Sequence, residues 1–302
     1  MSAWHGNPFG IPRLPSPAIF ARPMVKDKQE EEEMSFLDHL EALRWHLIRS
    51  LLAVTVLSVL AFLNKSLLFD TIILGPKKAD FPTFRFLCRA SEKLSEWLPF
   101  MFSKTTLCIG QNLPPLQNID MAGQFTTHIM VSLVAGMVFA FPYVFYEIWS
   151  FIRPALYSGE KNYTRGAIFF TSLLFAMGVA FGYYVIAPLS INFFLGYSVS
   201  TEVQNIPTLG TYISTVTTVV LACGIVFQLP ILVFFLTKLG LLGPNLLRRL
   251  RRHAIIGALV LSAIITPPDV FSQLLVTIPL MFLYEVSIFI SARVEKASRH
   301  AD

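Results

Sequence analysis

The chain has 302 residues and a formal net charge of +5, and 54% of its residues are hydrophobic while only 14% are charged. A soluble globular domain carries about 25% charged residues, whereas the mean hydropathy of this chain is +0.59. These values exclude an ordinary soluble domain and predict an integral membrane protein.

The first 33 residues are rich in proline and close with the charged run KDKQEEEE. They lack the basic start and following apolar stretch of a signal peptide. We expect residues 1–33 to be a disordered tail, residues 34–296 to form the membrane domain, and residues 297–302 to be a short C-terminal tail.

The next segment, SFLDHLEALRWHL, combines two helix signals. Ser35 and Asp38 have the spacing of a capping box, and apolar residues recur at helical spacing from Phe36 to Leu47. The pattern predicts an amphipathic helix that lies along the cytoplasmic surface and bends into the first span. The alternative is a single helix that continues the first span.

Six apolar runs follow, at residues 45–63, 128–149, 166–189, 211–239, 253–266 and 267–290. Runs of about twenty apolar residues mark spanning helices, because a helix satisfies its own backbone polar groups within lipid. A β-barrel would need short alternating segments. We therefore predict an all-α fold, a polytopic bundle of six transmembrane helices.

The short loops predict the orientation of the bundle. Residues 190–210 contain neither lysine nor arginine, whereas residues 241–253 contain four arginines, and the loop between the second and third runs carries three basic residues. Positively charged loops stay in the cytoplasm. Both chain ends are therefore expected inside, with residues 64–127 as a long external loop.

The external loop contains two of the three cysteines, Cys88 and Cys108, while Cys223 lies in the fourth run. If the outside is an oxidising compartment, a disulfide between Cys88 and Cys108 is a reasonable hypothesis, since both share one loop on one side of the membrane.

The motif TPPD separates the fifth and sixth runs. Thr266 and Asp269 have capping-box spacing, and Pro267 and Pro268 occupy the first helical positions, where a missing N–H leaves no helical bond unmade. The fifth run is then about 21 Å long at 1.5 Å per residue. Because the hydrocarbon core is about 30 Å thick, we expect a locally thinned bilayer.

Motifs of several enzyme classes are missing: the chain has no GxxxxGK[ST] phosphate loop, GxSxG elbow, HExxH zinc site or CxxC pair. No pair of nucleophile and base is evident. We therefore expect a protein that is not an enzyme and has neither a metal nor a cofactor.

A few polar residues within or beside the apolar runs are candidates for function, because such groups usually face a partner or a wet cavity. They are Glu147, Gln228, Asp269, Gln273 and Glu285. Each also has a structural interpretation. Asp269 can be a helix cap, Gln228 a hydrogen bond between helices, and Glu147 a side chain that faces water.

Five fragments, taken in chain order, resemble the TatC family, the multispanning subunit of the twin-arginine protein translocase. They are MSFLDHLEALRWHL, FPYVFYEIWSFIRPALYSGEK, GVAFGYYVIAPL, GIVFQLPILV and TPPDVFSQ. The resemblance extends over residues 34–296 and includes the expected six spans with both ends inside.

The resemblance implies a receptor and scaffold in the bacterial cytoplasmic (inner) membrane. Such a subunit binds the twin-arginine signal peptides of folded cargo proteins at the cytoplasmic face. It then recruits single-span subunits of the TatA and TatB type for export driven by the proton-motive force. The implied assembly is homo-oligomeric and contacts membrane lipid, with no nucleic-acid partner.

The resemblance also implies a signal-peptide site. By position the recognition carboxylate looks like Glu160, which without the resemblance would be an ordinary solvated loop charge. Two guanidinium groups need fixed carboxylates for bidentate hydrogen bonds. The expected site residues are Glu160, Phe151, Pro154, Tyr157, Glu147, Glu41, Leu43 and Arg44.

Two positions depart from the family pattern. The family's glutamate before Leu-Arg is Ala42 here, and Glu41 lies one residue earlier, about 100° around a helix. Either Glu41 serves after a rotation of the helix, or Glu160 works together with Glu147. Gln228 stands where many relatives have glutamate, so we expect no titrating proton carrier there. A neutral amide can still bind a deeply inserted signal hairpin or a polar residue of a partner.

The last two helices are expected to offer edges for partner helices, with Asp269, Phe271 and Gln273 at the turn. The principal rival hypothesis is a secondary transporter of a small solute. It predicts internal repeats and broken helices with charges at the midplane. We find no repeat, although Pro142 and Pro230 are two positions at which a helix could break.

Overall fold

The computed structural model describes residues 36–97, 108–111, 113–152, 164–200, 202, 205–266 and 270–298. The tail at residues 1–33, the capping residue Ser35, the site residues Pro154, Tyr157 and Glu160, and the turn at residues 267–269 lie outside this part. The described chain is helical and contains no strand, only an isolated bridge between Gln117 and Thr208. The predicted all-α class is therefore confirmed.

Ten α-helices run along the described chain: α1 (Phe36–Leu63), α2 (Pro82–Trp97), α3 (Gly123–Ile152), α4 (Thr164–Phe181), α5 (Ala187–Gly196), α6 (Leu209–Val226), α7 (Leu229–Lys238), α8 (Pro244–Arg249), α9 (Arg251–Ile265) and α10 (Val270–Ser298). Helical hydrogen bonding in α1 is continuous over 28 residues. The first span and the helix before it are thus one helix, as in the alternative interpretation.

Among the described residues, five helical stretches are long and apolar enough to cross a membrane: Glu41–Leu63, Gly123–Ile152, Ile168–Gly196, Leu209–Lys238 and Ser272–Lys296. The fifth predicted span is α9, which has 15 residues. At 1.5 Å per residue it is about 22 Å long, which is shorter than the hydrocarbon core. The count of six spans and the orientation with both ends inside remain predictions.

Two of the long stretches are not uniform α-helices. A π-helical stretch, Gly182–Ile186, joins α4 to α5. Between α6 and α7 the α-helical pattern stops at Phe227 and Gln228, with Pro230 at the start of α7. Proline has no N–H to continue the helical bonds, which explains this break. Pro142, by contrast, lies inside α3 without ending it.

The core of the bundle lies around α6. On one side Ile213, Val216 and Val220 pack with Val131 of α3. On another side Val219 and Cys223 belong to a buried cluster with residues of α9 and α10. The predominantly apolar α6 is buried because neighbours surround it on several sides.

Glycines allow α4 to approach α6 closely. A Cβ atom at Gly178 would lie 2.6 Å from the carbonyl oxygen of Cys223, and one at Gly182 would lie 3.0 Å from the Cα of Val220. Backbone contact at this distance requires residues without side chains, as in other membrane helix pairs.

The described residues between α1 and α3, 64–97, 108–111 and 113–122, include helical elements, and we call them the cap. It contains a π-helical turn (Leu67–Ile73), a 3₁₀ turn (Gly75–Lys77) and α2. A disulfide joins Cys88 of α2 to Cys108. Cys223 is a buried free thiol.

The cap docks on the π-helical stretch between α4 and α5. The Phe81 ring packs against the rings of Tyr183 and Tyr184, with centroids 5.5 and 5.7 Å away, and the hydroxyl of Thr83 donates to the Tyr184 carbonyl oxygen. In return the Tyr183 hydroxyl donates to the carbonyl oxygen of Ile72 at 2.7 Å. Polar backbone of the cap is thus satisfied by the bundle.

Candidate functional site

A buried carboxylate lies near the end of α3 that leads into residues 153–163. Glu147 is only 3% exposed. Its Oε2 is 2.5 Å from Nδ1 of His46 on α1, so the imidazole N–H donates to the carboxylate. Burying a carboxylate is costly unless it is paired and hydrogen-bonded. The His46–Glu147 hydrogen bond therefore connects α1 to α3 and gives the buried carboxylate the polar partner that it needs in apolar surroundings.

Two further groups stabilise this carboxylate. Tyr143, one turn earlier on α3, and Arg49, one turn after His46 on α1, are close enough to interact with its charge. Glu147 thus has polar neighbours on both helices, and it does not simply face water.

Phe151 belongs to the same group of side chains. It follows Glu147 by four residues on α3, and its ring meets the His46 ring edge-on with centroids 6.2 Å apart. Tyr143, Glu147 and Phe151 therefore share one face of α3 at spacings of four residues. Pro154, Tyr157 and Glu160 follow along the chain but lie outside the described residues.

The other predicted site residues are on α1. Glu41 and Arg44 are exposed, and Leu43 is half-buried. Glu41 is exposed, whereas Glu147 is only 3% exposed and its Oε2 is in contact with His46. The two acidic alternatives for the second arginine contact therefore differ in accessibility.

The predicted intramembrane polar residues serve contacts within the bundle. Gln228 Nε2 donates to the carbonyl oxygen of Thr171 on α4 at 3.3 Å, and Gln273 Nε2 donates to that of Leu259 on α9 at 3.1 Å. Glu285 of α10 accepts from Arg251 of α9 at 2.6 Å. Asp269 lies outside the described residues, and only the backbone of Phe271 is described.

Gln228 has one unused acceptor. Its Oε1 is buried and has no hydrogen-bond partner among the described residues. The side chain lies at the break between α6 and α7. Its bond to Thr171 joins two helices through the amide nitrogen, but this structural role does not account for the amide oxygen.

Sequence reasoning missed His46, Arg49 and Tyr143. The signal was present: a carboxylate in an apolar run needs a partner, and His46 and Arg49 lie one turn apart at the start of the first run. What the sequence did not contain was the rotation of α1 against α3, which selects His46 as the direct partner.

A cavity of about 780 Å³ lies between α3, α4 and α6 under the cap. Its walls are mostly apolar, and the charged residues that line it, Lys78 and Asp80, both belong to the cap. A transporter of a charged solute would need charges that converge at the midplane, and the lining of this cavity does not offer them.

The family model of Sec-independent protein translocase protein (TatC) matches residues 38–279. TatC of Blattabacterium sp. subsp. Periplaneta americana is 40% identical over 271 residues, covering 89% of this chain and 99% of that protein. TatC of Desulforapulum autotrophicum is 35% identical over 274 residues, covering 91% and 90%. A crystal structure of the twin arginine translocase receptor TatC in DDM superposes with a TM-score of 0.65 at 32% identity, covering 84% of this chain and 99% of that one.

The helical bundle and these similarities define a multi-pass membrane component of a protein translocase, not an enzyme. The chain belongs to the TatC family of Sec-independent protein translocase proteins. It is a protein of the bacterial inner membrane, and it works with other Tat subunits in a translocase complex.

Proposed function

We propose that this chain binds the twin-arginine signal peptides of folded cargo proteins at the cytoplasmic face of the membrane. It then recruits single-span subunits of the TatA and TatB type, and export is driven by the proton-motive force. Family membership supports this proposal. The observation that carries it is the buried Glu147 carboxylate beside Phe151, at the start of the segment that contains Glu160.

The proposed recognition chemistry is charge-assisted hydrogen bonding. A guanidinium presents a planar fork of donors that a carboxylate accepts in bidentate geometry, whereas a lysine ammonium is a point charge. Glu160 takes one arginine in this proposal. The second arginine is taken by Glu41 or Glu147, because position 42 is alanine. Pro154 and Tyr157 belong to the same segment, and Leu43 and Arg44 flank Glu41 on α1.

Partner subunits are proposed to dock along α10. From Leu274 to Phe289 its exposed side chains form a stripe at helical spacing that is apolar except for one carboxylate: Leu274, Ile278, Phe282, Glu285 and Phe289. A spanning helix of a partner can cover such a stripe. The short α9 beside it is the place where we expect the bilayer to be thin, and Asp269, Phe271 and Gln273 lie at that turn.

The test uses the full chain in lipid nanodiscs and a labelled peptide with two arginines. Glu160→Gln should weaken binding about tenfold or more, which corresponds to about 1.4 kcal/mol or more. The control is Glu202→Gln, the same change at an exposed position of a loop on the predicted opposite side. It should leave binding unchanged. Undiminished binding by Glu160→Gln would remove Glu160 from the site.

A further inference from the structure

We propose that His46 is an internal substitute for a signal arginine. It holds the Glu147 carboxylate while the receptor is empty, an arriving guanidinium displaces it, and the exchange releases α1 from α3 at this end. The inference rests on the proposed function and adds a residue that controls both specificity and the position of α1.

The relative exposure of the two side chains determines the order of events. The His46 side chain is 21% exposed, while the Glu147 side chain is 5% exposed. His46 is thus the more exposed member of the pair, and it contacts the carboxylate at Oε2. In the proposed exchange, a guanidinium that arrives from solution takes the place of the imidazole at Oε2.

The chemistry of the exchange favours arginine. His46 contacts the carboxylate through a single ring nitrogen, Nδ1, whereas a guanidinium offers two parallel donors to the two carboxylate oxygens. Tyr143 belongs to α3 itself and stays one turn from Glu147 during the exchange. Because one cationic or polar donor replaces another, the buried carboxylate is never left without a partner, which would be costly. A lysine provides no second parallel donor.

The packing of α1 explains why one contact matters. None of the most apolar stretch of α1 is buried inside the described bundle. Three contacts join α1 to α3: His46 with Glu147 on one side of the crossing, and, about three and four turns further along α1, the Ser58 backbone against Gly136 and the Phe62 ring stacked on His128 with centroids 4.0 Å apart. Loss of the first contact frees one end and leaves the other two as a hinge.

An ordinary structural ion pair would behave differently. It would hold α1 in the same place whether or not a peptide is bound, and its removal would destabilise the fold without improving peptide affinity. The position of α1 and the peptide affinity, measured on the same sample, distinguish the two cases.

The experiment places spin labels at Leu51→Cys on α1 and Ile148→Cys on α3, both exposed positions. The native cysteines do not interfere, because Cys88 and Cys108 are joined and Cys223 is buried. Distances between labels are measured by pulsed electron paramagnetic resonance in nanodiscs, without peptide, with a twin-arginine peptide, and with its twin-lysine form. We expect the twin-arginine peptide alone to change the distance distribution.

Two variants complete the test. His46→Phe preserves a ring beside Phe151 but cannot donate to Glu147. It should show the released distribution without peptide and bind the twin-arginine peptide about tenfold more tightly. His128→Phe is the matched control at the far end of the same helix pair, where stacking on Phe62 is retained, and it should change neither quantity. If His46→Phe does not fold, His46→Gln, which keeps a donor, should give an intermediate shift.

The outcomes separate this inference from the proposed function. If the twin-arginine peptide binds normally but neither the peptide nor the His46 variants change the distance, the displacement of His46 is wrong and the proposed function stands. If the peptide binds no better than its lysine form to any variant, the proposed function itself fails. Equal loss of affinity in the His46 and His128 variants would also overturn the inference.

Discussion

At the scale of single residues, the feature that organises the site is a carboxylate placed in an apolar helix. The sequence was sufficient to select Glu147, because a charged side chain in a span needs a partner. It was not sufficient to choose that partner, since Arg44, His46 and Arg49 all lie near the start of α1. Which of these residues pairs with Glu147 depends on how α1 crosses α3. Few contacts fix that crossing. The same limit explains why Gln228 was recognised as polar and mid-span while its bond to Thr171 was not.

A double-mutant cycle measures the interaction free energy between His46 and Glu147. His46→Ala leaves a mostly buried carboxylate without its direct partner, and we expect a loss of roughly 1–3 kcal/mol in the free energy of unfolding, between the values for exposed and fully buried pairs. Once Glu147→Gln has removed the charge, His46→Ala should cost less than half as much. Denaturant titration of the purified protein in detergent gives the four values. Strictly additive losses would show that the two side chains do not interact.

At the scale of elements, local sequence signals predicted those features that depend on local chemistry. The TPPD motif indicated where the fifth helix ends, and α9 is indeed short. Pro230 interrupts the fourth span, whereas Pro142 does not interrupt α3. The π-helical stretch between α4 and α5 had no sequence signal, because it lies where a segment about a hundred residues distant, at Thr83, docks on it.

The contribution of the disulfide to the stability of the cap can be tested by removing it. Cys88 and Cys108 are separated by 20 residues, and closing a loop of this size stabilises by roughly 3 kcal/mol in the chain-entropy model. Replacing both with serine should increase hydrogen exchange of α2 amides while amides of α6 stay protected. Cys223→Ala, which leaves the disulfide intact, is the control. Unchanged exchange in α2 would show that the packing of its Phe84 against Phe81 is sufficient alone.

At the scale of the whole molecule, hydropathy and loop charge predicted the class, the order of the helices and the short fifth helix. In the part of the chain that the structure describes, five helices are long and apolar enough to span a membrane. Neither signal predicted how the helices pack: that α6 is central, or that a mostly apolar cavity lies under the cap. Those features arise from contacts between distant parts of the chain, such as Gly178 with Cys223. The exposed apolar stripes of α1 and α10 likewise became visible only in the packed bundle.

The central claim is that the translocase component recognises paired guanidinium groups through carboxylates. Its most direct test is co-purification from membranes of the full chain with a folded reporter that carries a twin-arginine signal, against the same reporter with two lysines. Because lysine keeps the charge and loses the planar fork, we predict at least about tenfold more of the arginine reporter, or about 1.4 kcal/mol. Equal recovery of the two reporters would contradict the account.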